Sequence, residues 1–164
     1  YKFSSNIISK KDYYPPITNF LKDFKQVSNL NIIISKHPRE IHNNNFYKFG
    51  KLRSDTLNSV RNSNFVIVQS STAISYAVLY KKPILFLTNN NFSHNTIRQI
   101  KVLSEYFEKK PFNVTRDKFT LERFNEEKKI NHKLYNSYIK DFITNKRESL
   151  TSYEKIFNYL NNTN

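Results

Sequence analysis

Cysteine is absent from the 164 residues, which removes disulfides, thiolate metal sites and cysteine nucleophiles together. Glycine occurs once, at Gly50. A G-x-G-x-x-G dinucleotide loop and a Walker A loop are therefore excluded, because both use several glycines to bring backbone close to phosphate. Methionine is missing as well, and the chain opens on Tyr1, so the expectation is that another domain precedes it. Nothing approaches the roughly 20 apolar residues that a membrane helix needs. Apolar residues gather instead in short runs such as Ile32, Ile33, Ile34 and Phe65, Val66, Ile67, Val68, which reads as a soluble domain without a signal segment. The histidines His37, His42, His94 and His132 show no metal-ligand spacing. Glu122, Glu126 and Glu127 sit among lysines and read as solvated, salt-bridging helix faces.

What remains is one domain's length of chain with a formal charge of +14. Such a charge suits nucleic acid, an anionic membrane surface or a phosphate-bearing ligand, and by itself does not choose among them. A bland reading competes, in which lysines of an Asn-, Lys- and Ile-rich composition simply decorate solvated helices.

Hydrophobic spacing orders the chain. Phe20, Leu21, Phe24 and Val27 recur at helical spacing after Pro15 and Pro16, which predicts a helix over about 16–28 with proline in its first turn. Asn-Ile-Ile-Ile-Ser at 31–35 predicts a buried strand. Ser54 or Asp55 can cap a short helix that carries Leu57 and Val60. A second buried strand is expected at 65–68, then a helix with Ala73, Ile74, Ala77 and Val78 facing a sheet, then a third strand at 83–88 that begins with proline. Strands alternating with helices predict an α/β fold with a doubly wound parallel sheet. Further helices are expected at about 96–109, 126–143 and 152–160, with an irregular stretch around 112–116.

Two polar clusters follow buried strands, the place where open parallel sheets bind ligands. Lys36-His37-Pro38-Arg39 offers two fixed cations, an imidazole and a stiffened turn, against the plain reading of a solvated basic loop. Ser70-Ser71-Thr72 stands at a helix start, where unpaired N–H groups attract anions, against the plain reading of ordinary capping. The two strands are read as neighbours, so that both clusters could share one diphosphate. Tyr13 and Tyr14 could stack on a base or acceptor, or pack on the first helix.

Together, Ile34-Ser35-Lys36-His37-Pro38-Arg39, Val68-Gln69-Ser70-Ser71-Thr72-Ala73 and Lys82-Pro83-Ile84-Leu85-Phe86-Leu87 resemble, in order and spacing, the donor-binding domain of GT-B glycosyltransferases of bacterial surface-polysaccharide synthesis. Those enzymes include bacterial sialyltransferases, Kdo transferases of capsule assembly and polyol-phosphate polymerases of teichoic acid synthesis. The resemblance implies that the whole chain, 1–164, is one nucleotide-sugar-binding domain, the C-terminal half of a larger enzyme and inactive alone. It implies that His37 stabilises or protonates the departing phosphate, while Lys36, Pro38, Arg39, Ser70, Ser71 and Thr72 hold the donor. A CMP-sugar is favoured, no metal or other cofactor is needed, and the acceptor is a glycan or lipid-linked glycan. The expected place is the cytoplasm, peripheral on the inner membrane face, where Lys128, Lys129, Lys133 and Lys140 each contribute on the order of 1 kcal/mol near anionic lipid. Competing readings are a nucleotide-sugar epimerase of the related fold and a basic nucleic-acid-binding module. Against the latter stands the lack of any nucleic-acid motif.

If His37 acts on the leaving group, His37→Ala in the full-length enzyme should lower turnover by roughly 10²-fold or more and weaken donor affinity less. His132→Ala should change neither, and steady-state kinetics of both variants checks the contrast.

Overall fold

β-Branched and aromatic runs become strands where the sequence marks them, and the computed structural model adds two more. It describes residues 8–35 and 48–144, with Glu154, Ile156 and Asn158 as helical positions beyond them. β1 (Ile32–Ser35) lies parallel to β2 (Gly50–Arg53), with Ile32 opposite Gly50. β2 escaped the sequence reading because Gly-Lys-Leu-Arg has neither β-branching nor an apolar run. β3 (Val66–Val68), β4 (Ile84–Thr88) and the two-residue β5 (Phe112–Asn113) form a second parallel sheet in that order. The strands that lead into the two clusters are therefore not ladder partners. β1 pairs with β2, which intervenes in the chain, and β3 pairs with β4.

The helices are α1 (Lys10–Ser28), α2 (Thr56–Arg61), α3 (Ala73–Leu79), α4 (His94–Tyr106), α5 (Leu121–Glu127) and α6 (His132–Tyr138), followed by a π-helical turn, Ile139–Ile143. The fold class is α/β with parallel strands. α1 starts earlier than its proline pair suggests, because Ser9 accepts the Asp12 N–H as N-cap and leaves Pro15 and Pro16 inside the helix. Asp55 caps α2 in the same way. The helix expected over 126–143 is interrupted, since Asn131 accepts the Leu134 N–H and restarts the chain as α6. Of the last expected helix, only the positions at 154, 156 and 158 are described.

β4 separates two cores. Ile84 and Phe86 pack with Ile74, Ala77, Val78, Ile100 and Tyr138. Leu85 and Leu87 pack with Phe20, Phe24, Phe112, Phe119 and Phe124, several ring pairs lying 5.3–5.9 Å apart. Alternate residues of one strand thus face opposite layers, and each buried side chain of this size stabilises by about 1.5–3 kcal/mol.

With one glycine, the chain ends its helices on other residues. Asn29, Lys81 and Glu108 take the left-handed conformation. After α3, Lys82 N–H donates to the Ala77 carbonyl and Lys81 N–H to the Val78 carbonyl, the paired closure that glycine normally makes at lower cost. Gly50 is needed for a different reason, since a Cβ there would overlap the Ile32 carbonyl of the neighbouring strand.

Opposite outcomes are expected at the two kinds of site. Gly50→Ala should destabilise the domain by disrupting the β1–β2 ladder, whereas Lys81→Gly should stabilise it by up to about 1 kcal/mol. Denaturant unfolding of both variants measures the signs.

Candidate functional site

Because β3, β4 and β5 run parallel, their carboxyl ends share one edge of the sheet. β3 delivers Gln69 and then Ser70, Ser71 and Thr72, all three exposed. Ser71 Oγ accepts the Ala73 N–H at 3.2 Å, Ser70 Oγ donates to Gln99 Oε1 of α4 at 3.3 Å, and Thr72, the residue before α3, makes no capping bond. Two hydroxyls are thus placed by neighbours and the third is not committed to the helix. No Asp or Glu stands between Asp55 and Glu105 in the chain, while Arg61, Lys81, Lys82, Arg98 and Lys101 do. The span from α2 through most of α4 therefore brings no carboxylate to oppose an anion here.

Lys36, His37, Pro38 and Arg39 lie outside the described residues. The strand before them ends at Ser35, whose hydroxyl lies 2.5 Å from that of Thr56. Among the described residues, no group of three or more His, Asp or Glu is arranged to hold a metal ion, and no helix is long and apolar enough to cross a membrane.

Sequence reasoning missed an amide network on the same edge. Asn89, fully buried just after β4, donates from Nδ2 to the Asp12 carbonyl at 3.3 Å and accepts the Asn91 N–H at 2.9 Å. Asn113 at the end of β5 donates to Asn90 Oδ1 at 2.7 Å and accepts both the N–H and hydroxyl of Thr115. Asp117 accepts the Asn113 N–H at 2.9 Å, and the Asn113 carbonyl accepts the N–H groups of Arg116 and Asp117. The signal was present in the sequence as asparagines directly after two apolar strands, positions where a buried amide can close a loop.

A recess of about 730 Å³ flanks β5, lined by Thr88, Ile97, Lys101, Lys110 and Arg116 together with Glu105 and Glu108. Four cations, Lys101, Lys109, Lys110 and Arg116, line it against these two carboxylates.

The late helices need one correction. Glu127 is not a solvated face residue but 5% exposed, and it accepts from Lys109 at 2.7 Å and Arg123 at 2.6 Å. Burial of a carboxylate is tolerable when two cations and their hydrogen bonds accompany it. This trio fixes α5 to the turn before β5. Burial, reinforced by the Glu127 charge, pushes the Tyr135 phenol far above its ordinary range, and its hydroxyl donates to the Lys82 carbonyl at 2.8 Å. Lys128, Lys129, Lys133 and Lys140 are exposed, but so are Glu122, Glu126 and Asp141 on the same helices.

Comparison of the chain with protein-family models, with curated proteins and with solved structures finds no match.

Burial alone would raise the Asp117 carboxyl, yet hydrogen bonds from Arg116 and the Asn113 N–H, with the charges of Arg116 and Lys110, hold it below the ordinary 3.8. A group whose folded pKa is depressed contributes stability above its unfolded pKa and loses it as pH falls through the folded pKa. The stability gap between the wild type and Asp117→Asn should therefore shrink from about pH 5 to about pH 3. Chemical denaturation across that range tests it, and a constant gap would show that the carboxylate's charge plays no part.

Proposed function

We propose that the chain is the nucleotide-sugar-binding domain of a metal-independent glycosyltransferase, and that its parallel strands belong to the doubly wound sheet of a GT-B half. The observation that carries this reading is the exposed Ser70-Ser71-Thr72 cluster at the carboxyl end of β3, in a span of chain free of carboxylates. Glycosyl transfer from a nucleotide donor needs negative charge stabilised on the leaving phosphate, and fixed donors aimed there act most strongly in the transition state. In this reading Ser70, Ser71 and Thr72 bind phosphate oxygens. Lys36, Pro38 and Arg39 complete the cradle, and His37 supplies the proton or hydrogen bond to the departing group.

The acceptor is a cell-surface glycan, and the base that activates its hydroxyl belongs to a further domain. The place of action is the inner membrane face, which the exposed lysines of α6 and its neighbours would meet while the carboxylates among them weaken the attraction.

Thermal unfolding with CMP, CDP, UDP and GDP tests the reading, with CMP first. A ligand that binds only the folded domain adds about 2.7 kcal/mol at 100 times its Kd, so one nucleotide should raise Tm clearly. The gain should fall in a Ser70→Ala, Thr72→Val double variant. Binding of mixed-sequence RNA or DNA with steep salt dependence, and no response to any mononucleotide, would overturn the proposal in favour of a nucleic-acid-binding module.

A further inference from the structure

α4 turns different faces to the two sides of the sheet. Ile97, Lys101 and Glu105 follow one another at four-residue steps, so they share one stripe of the helix, and that stripe lines the recess beside β5. Gln99, which accepts from the Ser70 hydroxyl, lies about 200° around the helix from Ile97 and from Lys101. The recess is therefore a separate place from the hydroxyl cluster. Thr88 and Asn113, the last residues of β4 and β5, also line it, so it reaches the carboxyl ends of two parallel strands, where ligands usually sit in such sheets.

Most of the charge around the recess is already matched. Lys109 gives its ammonium to Glu127 at 2.7 Å, and Glu108 accepts from the Asn131 amide at 3.1 Å. Lys101 and Glu105 stand 3.6 Å apart with both side chains exposed, so water weakens that pair. Lys110 and Arg116 keep donors to offer. The Lys110 carbonyl accepts from Arg123, while its ammonium has no partner among the described residues. Arg116 commits only Nε, to Asp117, which leaves the fork of its two terminal nitrogens without a partner among the described residues. Both charges act on the Asp117 carboxylate, so they lie near each other. A hydroxyl is uncommitted as well, because Thr88 Oγ1 is buried with no hydrogen-bond partner. Thr88 itself is half-buried, and a step of χ1 between staggered wells can bring that hydroxyl to a ligand.

We propose that this recess binds the phosphate monoester of a sugar, with the phosphate on Lys110 and Arg116 and the ring hydroxyls on Glu105 and Thr88. A guanidinium fork beside an ammonium suits a compact dianion. The carboxylates repel a bare anion but accept hydroxyl donors, so they favour an anion that carries hydroxyls over one that does not. The volume of about 730 Å³ lies in the range of small-molecule sites. Binding here is independent of the role given to Ser70, Ser71 and Thr72.

Calorimetric titration of the full chain with glucose 6-phosphate, inorganic phosphate and glucose tests the site. Glucose 6-phosphate should bind roughly tenfold or more tightly than inorganic phosphate, and glucose should give no measurable binding. Lys110→Gln, at an exposed side chain whose ammonium has no internal bond to lose, should weaken glucose 6-phosphate about tenfold. Arg116→Lys, which keeps the charge but not the fork, should weaken it as well. Glu105→Gln should act in opposite directions, tightening inorganic phosphate and loosening glucose 6-phosphate, while Thr88→Val should loosen only the latter. The Ser70→Ala, Thr72→Val double variant should change neither. Equal affinity of the wild type for glucose 6-phosphate and inorganic phosphate would overturn the proposal, as would no binding of glucose 6-phosphate. Undiminished binding in both Lys110→Gln and Arg116→Lys would also overturn it. If binding is lost instead in the double hydroxyl variant, the ligand sits at the end of β3, which overturns the recess site and leaves the reading of the hydroxyl cluster standing.

Discussion

The structure depends on β4 being buried on both faces. Ile84, Leu85 and Phe86 are at most 1% exposed, and their alternation assigns them to opposite layers. Each helix layer is therefore held against the same five residues, and the positions of α1 and α4 relative to each other are set through this strand. A strand that serves two cores cannot shift register without turning each side chain to the wrong layer. That constraint makes the carboxyl end of the sheet a firm platform for the loops built on it. The loop after β3 inherits it through the ladder that aligns Val68 with Phe86.

The platform is furnished mainly by short polar side chains closing loops on themselves. Asn90, Asn113 and Thr115 bond one another across the ends of β4 and β5, and Asn89 bonds the Asn91 N–H and the Asp12 carbonyl, so the desolvation cost of these amides is largely offset. Ser70, Ser71 and Thr72 stand beside that network and face water. A ligand at the hydroxyl edge would meet donors whose supports are already organised, which limits the entropy lost on binding.

Much of the α/β pattern was legible because Ile32–Ser35, Val66–Val68 and Ile84–Thr88 are apolar runs bounded by polar turns, and because α3 and α4 carry regular apolar spacing. β2 and β5 were not. The first is held by backbone proximity at Gly50, and the second is two residues long, so neither carries a periodic signal. The position of Ser70-Ser71-Thr72 after β3 could be read from the chain. The role of Asn89 could not, because it depends on a contact between segments more than 50 residues apart. Glu127 was misread for the same reason: its neighbours in sequence suggest a solvated face, while Lys109 arrives from another turn to bury it.

The turn after β5 has a consequence for how this sheet can be joined to anything else. Just beyond β5, Val114 donates to the Thr88 carbonyl, while the N–H and carbonyl of Asn113 are consumed by Asp117 and Arg116. The outermost strand thus presents few free backbone groups to an incoming strand, the usual route to edge-to-edge pairing and fibrillar growth. At this edge the sheet ends at β5, and a partner that meets it there has to dock through side chains and loops.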